Sequence, residues 1–181
     1  MKDITNKTKL TLLLIFWAII FLIAGIGMAK SEDNSKMYGQ YCSGEVDKIV
    51  VVKSEKKLSL LDECGNEIKS YKVRVGKNKG AKHCDGDKKT PEGTYHITEK
   101  RDSKYHKFLA LDYPQAKDLK KAKELGCYVG DSIGIHYYNK EFAKTNDELY
   151  NSLGCITVYS KQELNEINKL VNIGTIVEIV P

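Results

Sequence analysis

One cysteine and one histidine in this chain have the setting that covalent chemistry requires. Cys155 follows a short turn and opens an apolar run, Asn151-Ser152-Leu153-Gly154-Cys155-Ile156-Thr157-Val158, and His136 closes Ser132-Ile133-Gly134-Ile135-His136 nineteen residues earlier. A thiol becomes a strong nucleophile only as it loses its proton, so acyl transfer through Cys155 needs a base within reach, and His136 is the histidine in a strand-like context near it. Gly154 lets a substrate carbonyl approach the backbone closely. The N–H groups of Gly154 and Cys155 are therefore placed to stabilise an oxyanion. Ser152 has two readings, direct contact with a substrate or capping of the turn through its hydroxyl. Taken alone, a cysteine and a histidine this far apart serve more often as a buried thiol and a carbonyl-bound imidazole.

These residues need a scaffold, and the chain supplies signals for one. Both halves of the Cys–His segment read as a strand beside a turn, with a partly helical stretch at 140–150 looping out between them. Upstream, 46–52 and 58–61 are β-branched and aliphatic runs joined by five polar residues, which predicts a hairpin. A turn follows at 64–67, and 71–75 alternates apolar and basic residues as a half-buried strand does. Residues 76–93 are rich in Gly, Lys and Asp and end in Thr90-Pro91-Glu92-Gly93, a turn sequence, before a strand at 94–97. Ala116, Leu119, Ala122 and Leu125 predict a helical stripe over 114–125, closed by Gly126. Ser160 and Glu163 form a capping box ahead of Leu164, Ile167, Leu170 and Val171, and 175–180 reads as a last strand. The expected fold class is mainly β, with a few helices packed on it.

The segment His136-x15-Ser152-x-Gly154-Cys155-Ile156 resembles the signature of the L,D-transpeptidase (YkuD-like) family. Gly86-Asp87-Lys88-Lys89-Thr90-Pro91-Glu92-Gly93-Thr94-Tyr95-His96-Ile97 is similar to a second stretch of that family, and the first two strands are similar to its opening hairpin; the likeness covers 46–159. The resemblance implies a YkuD-like β-sandwich catalytic domain that acts on peptidoglycan stem peptides, without a cofactor. Cys155 is then the nucleophile that forms an acyl-enzyme with a tetrapeptide stem, His136 its base and later acid, and Gly154 and Cys155 the oxyanion donors. Leu153 stands where the family often has histidine. Thr157 stands where arginine or asparagine often follows, so Lys88 or Lys89 becomes the candidate for a substrate carboxylate. Tyr137 occupies a place where the family often has glycine or serine, which leaves the group that orients His136 unassigned; with Tyr95 and Tyr138 it is also a candidate lining of the groove. The same acyl-enzyme with water as acceptor gives an L,D-carboxypeptidase or endopeptidase. A different class altogether is a disulfide-stapled scaffold in which Cys155 is paired and silent.

Composition sets the surroundings. The formal charge of +5 in 181 residues comes from short mixed clusters without a basic block, which argues against nucleic acid. Residues 10–29 carry no charge over about 20 positions, enough to span a bilayer, and Lys2, Lys7 and Lys9 precede them. The reading is a single-pass membrane anchor or signal peptide at 1–30, a linker at 31–43 and one extracytoplasmic catalytic domain at 44–181, expected to be a monomer. In that compartment disulfides persist. Of five cysteines, Cys155 is the expected free thiol, and the other four allow three pairings. One of these joins Cys84 to Cys127 to brace the active-site loops and leaves Cys42 with Cys64. No close Cys-x-x-Cys spacing points to a metal.

Overall fold

The computed structural model describes residues 42–104, 106–138 and 152–181. The predicted span at 10–29, nearly all of the predicted linker, and the predicted loop at 140–150 lie outside the described residues. No helix among the described residues is long and apolar enough to cross a membrane.

Eight strands and two helices follow in the order β1 (Lys48–Val52), β2 (Lys57–Leu61), β3 (Glu67–Arg74), β4 (Gly93–Ser103), β5 (His106–Leu111), α1 (Ala116–Glu124), β6 (Gly134–Tyr137), β7 (Ile156–Val158), α2 (Lys161–Leu170) and β8 (Ile176–Val180). The chain is mainly β, as expected. The expected sandwich, however, is closed: the hydrogen-bonded order β1-β2-β3-β7-β6-β5-β4-β8 returns to β1, and β3 and β4 belong to both halves. Closure removes the exposed strand edges that a two-sheet sandwich must protect. Most ladders are antiparallel, but β1 pairs with β8, and β6 with β7, in parallel.

Alternation along the strands drives this arrangement. Ile49 and Val51, Leu58 and Leu60, Tyr95 and Ile97, and Val177 and Ile179 all turn inward and are at most 1% exposed. Each such aliphatic side chain contributes about 1.5–3 kcal/mol through burial. The capping box of α2 is present, with Ser160 Oγ accepting from Glu163 N at 3.1 Å and Glu163 accepting from Ser160 N at 2.9 Å. Its Leu164 and Ile167 are fully buried.

Three expectations need correction. Of the predicted α1 stripe Ala122 is buried, but Ala116 is exposed and Leu119 and Leu125 are each 52% exposed, while Asp118 faces inward with Ala122. Asp118 is drawn in because it accepts both from Tyr95 Oη at 3.1 Å and from Gln115 N at 2.8 Å, and that fixes the rotation of the helix. Leu170, expected on the apolar face of α2, is 38% exposed at its end. The strand predicted at 94–97 runs on to Ser103 and pairs with β5, which has no counterpart among the expected strands. The sequence Glu99-Lys100-Arg101-Asp102 is too polar to signal a strand, and it forms one because β5 pairs with it rather than because a core covers both faces.

Candidate active site

The turn ahead of β7 is tied down at every residue that matters. Ser152 N donates to Val75 O at 2.8 Å, Lys77 N donates to Ser152 O at 3.1 Å, and a parallel bridge joins Gly76 to Ser152. Ser152 Oγ accepts from Gly154 N at 3.0 Å and donates to the carbonyl of Cys155. Its observed contacts are therefore those of a turn cap. The Gly154 N–H points at Ser152 rather than at an open site, which leaves Cys155 N–H as the candidate oxyanion donor of the expected pair. Gly154 sits at φ +148°, and a Cβ there would lie 2.8 Å from Lys89 O and 3.1 Å from Ile133 Cδ1, so only glycine fits.

The parallel ladder sets Ile135 beside Ile156 and His136 beside Thr157. One residue back along both strands, Gly134 and Cys155 stand opposite each other. Cys155 is thus on the same side of the sheet as His136, displaced by two residues along it. Cys155 is a free, partly exposed thiol. It donates to Ser132 O at 3.4 Å, where Ser132 adopts φ +57° and turns its carbonyl toward the sulfur. Burial pushes the thiol above its ordinary range, while the Gly134 N–H and the positive charge of Lys82 pull it the other way.

His136 is 9% exposed and stacks on Phe108, with ring centres 5.8 Å apart. Its Nδ1 lies 2.9 Å from the carbonyl oxygen of Tyr137. A carbonyl only accepts, so Nδ1 carries the hydrogen and Nε2 keeps a lone pair. Burial lowers the imidazole below its ordinary range, against the opposing effect of that hydrogen bond. The two shifts together make thiol and neutral imidazole the resting pair at neutral pH, rather than thiolate and imidazolium. The rate at which iodoacetamide modifies Cys155 is accordingly expected to climb through the alkaline range. A plateau already reached between about pH 5 and 7 would show an ion pair instead.

The Gly86–Ile97 stretch and the cysteine turn meet at one hydroxyl. Thr90, 0% exposed, accepts from Gly76 N at 2.7 Å and donates to Gly154 O at 2.8 Å. Asp87 holds the loop before it, accepting from the N–H groups of His83 at 2.8 Å, Cys84 at 3.1 Å and Lys89 at 3.0 Å. Lys82, 4% exposed, adds an ion pair to Asp87 at 3.1 Å. Burial opposes ionisation of Asp87, and these donors outweigh it, so its carboxyl stays below the usual range. Thr90→Val keeps the shape and removes both bonds, leaving a buried N–H and a buried C=O unsatisfied. We expect a loss of about 3 kcal/mol, seen as a fall in melting temperature of roughly 10 °C.

The remaining expected site residues are dispersed. Lys88 is exposed on its loop, and Lys89 contributes its backbone, pressed against Gly154. Tyr95 is in the core, and the Tyr137 ring packs against that core with Lys161 Nζ 5.9 Å from its centre, so its carbonyl is the part that touches the site. Sequence reasoning missed three buried cations. Lys53 donates to Gly80 O at 2.7 Å, Thr90 O at 3.1 Å and Glu92 Oε1 at 2.7 Å, pinning the Thr90-Pro91-Glu92 segment to the end of β1. Lys82 and Arg74 are the others. Their one signal in sequence was a basic residue beside an apolar one, which surface strands share. The cysteines pair as Cys42–Cys64 and Cys84–Cys127, with Cα atoms 5.9 and 5.7 Å apart. Cys42, Asp62 and Cys64 converge, but sulfurs bonded to each other are no thiolate ligands.

The family model of the L,D-transpeptidase catalytic domain (YkuD) matches residues 47–179. No match was found among curated proteins. Among solved structures, the helical cell shape determining protein Pgp2 from Campylobacter jejuni superposes with a TM-score of 0.59 at 24% identity, over 77% of this chain and 49% of that one. The Bdellovibrio bacteriovorus protein Bd1075 gives 0.56 at 23% identity, over 75% of this chain and 48% of that one. An L,D-transpeptidase from Stackebrandtia nassauensis gives 0.50 at 15% identity, over 84% and 62%. At these identities the likeness is one of fold, and the chain spans about half the length of the first two.

Proposed function

The chain belongs to the YkuD family of L,D-transpeptidase catalytic domains, and from that premise we propose that it is a peptidoglycan L,D-transpeptidase working through a cysteine acyl-enzyme. Cys155 is the nucleophile. As its sulfur attacks the carbonyl of a tetrapeptide stem, Nε2 of His136 takes the thiol proton. The Tyr137 carbonyl holds Nδ1–H and thereby keeps the imidazole in the tautomer that can accept. The Cys155 N–H faces the oxyanion. When the tetrahedral intermediate collapses, His136 returns the proton to the departing amine and a thioester remains. An amine from a neighbouring stem then attacks the thioester, and its proton passes to His136.

One observation carries this reading: the β6–β7 register sets a free thiol and an imidazole with a defined tautomer on the same side of one parallel ladder. Two disulfides consume the other four cysteines, which favours a reactive Cys155 over the silent scaffold. They also suit an oxidising compartment, so we place the domain outside the cytoplasm, carried there by residues 10–29.

The test is to incubate the full-length chain with purified muropeptides and measure products and protein by intact mass. A cross-linked dimer, together with an acyl adduct mapped to Cys155, is the expected result. A tripeptide product with no dimer assigns water as the acceptor, and unchanged muropeptides overturn the reading.

A further inference from the structure

His136 is held by more than its hydrogen bond. Across the ladders Arg101 pairs with Phe108, Phe108 with His136, and His136 with Thr157. Residues opposed across a ladder project to the same side. Their neighbours in sequence, Leu109, Ile135, Ile156 and Val158, are all 0% exposed in the core, so this row looks the other way, onto the face that carries Cys155. Phe108 is only 6% exposed, yet the core of the described residues takes in Leu109 and leaves Phe108 out. A large apolar ring is thus buried on the reactive face, where it adds nothing to the core.

Two contacts show what the ring does there. Its plane lies 24° from that of the His136 ring, with the centres 5.8 Å apart. Its tip runs over Gly134: a Cβ on that residue would stand 2.6 Å from Phe108 Cζ and 2.7 Å from Phe108 Cε1, and Leu109 O, at 2.5 Å, closes the rest of that space. Gly134 is the residue opposite Cys155, and its N–H donates to the sulfur. Phe108 therefore reaches from the base to the place beside the nucleophile, and a side chain at Gly134 would evict it. From the other neighbouring strand Arg101 backs the ring, its guanidinium carbon 4.8 Å from the ring centre. The torsion that turns an imidazole about its bond to Cβ has broad wells, and a hydrogen bond tolerates some 30° of misalignment. The Tyr137 carbonyl thus selects the tautomer but leaves the ring plane loose. Stacking removes that freedom, because turning the imidazole drives its edge into the Phe108 face.

We propose that Phe108 is the positioning residue of the base: its ring sets the plane in which His136 works on the Cys155 thiol, and residue 134 is glycine so that the ring can lie there. This rests on the function proposed above and adds to it what aims the imidazole. Because Phe108 acts through that imidazole, removing His136 removes its effect.

The experiment is a double-mutant cycle on the full-length chain at neutral pH, with purified tetrapeptide muropeptides as donors. Thioester formation in the first turnover, followed by intact mass at several donor concentrations, separates kcat from KM, and the slow variants are read over hours. Phe108→Leu keeps an apolar side chain and loses the flat face. Alone it is expected to lower kcat on the order of 10²-fold, the cost of a misaimed group, and to leave KM within about twofold. In His136→Ala the same change is expected to alter the rate by no more than about twofold, since the two residues act as one unit. Phe108→Leu as fast as wild type overturns the inference alone. So does a folded Phe108→Leu that slows the chain equally with and without His136, which is what a merely structural role does, or one whose loss lies in KM. Should Phe108→Leu fail to fold, Phe108→Met, nearer to phenylalanine in volume, decides by the same cycle. Wild type that forms no thioester overturns the functional reading and this inference with it.

Discussion

Cys155→Ala is expected to give a folded protein that forms no thioester and releases no product, a fall of about 10⁴-fold or more in kcat/KM. The argument is one of bond making: with the sulfur gone, the turn presents a methyl group where the acyl chain would attach, and no nearby side chain can replace it. Ser132 meets the sulfur through its carbonyl oxygen, which accepts from the thiol, and the Ser152 hydroxyl is spent within the turn. Folding is expected to survive, because the sulfur's hydrogen bonds, to Ser132 O and from the Gly134 N–H, are weak and the side chain lies partly open to solvent. Intact mass with a donor peptide reads the adduct, and a melting curve reads the fold. An alanine variant that still builds dimers would move the chemistry to another residue.

His136→Ala has the second largest effect, a loss on the order of 10³-fold in kcat/KM at neutral pH, the usual worth of a positioned general base. Its signature is in the pH profile. In the wild type, reaction requires the unprotonated imidazole, so kcat/KM falls on the acid side as His136 gains a proton. Because burial lowers the imidazole, the midpoint of that fall is expected below the ordinary value of 6.5. The variant has no such limb. Its rate instead rises with pH as the thiol ionises unaided, and burial delays that rise into the alkaline range. Steady-state rates from pH 5 to 10 on both proteins separate these shapes. An unchanged acid limb in His136→Ala would assign that titration elsewhere.

How far the sequence anticipated this arrangement depended on whether the controlling interaction was local. The hairpin of β1 and β2 and the capping box at Ser160 are set by residues within a few positions of one another, and they form as expected, whereas Thr90-Pro91-Glu92-Gly93, expected as a turn, runs straight into β4. Cys155 and His136 stood out because each lies in a strand-like run and together they fit the spacing of the family signature. The linkage that holds them was not: Thr90 reaches across 64 positions to Gly154, and Lys53 across 39 to Glu92. The rotation of α1 escaped for the same reason, since Asp118 is fixed by Tyr95 on a distant strand. Arg74 read as one more basic residue on an alternating strand. Its neighbours Thr157, Tyr138 and Tyr159 arrive from segments more than sixty positions away, and the register alone brings them together.

The seam between β1 and β8 bears on how the protein comes into being. Val52 and Val180 lie side by side, and β8 also pairs with β4, so the last strand is a wedge between two that emerge far earlier from the ribosome. Until it arrives, both neighbours present bare backbone to whatever passes. Contacts so distant in sequence make for slow assembly. Loss of only the final six residues, 176–181, would undo the ring at its keystone, although every residue assigned to catalysis remained.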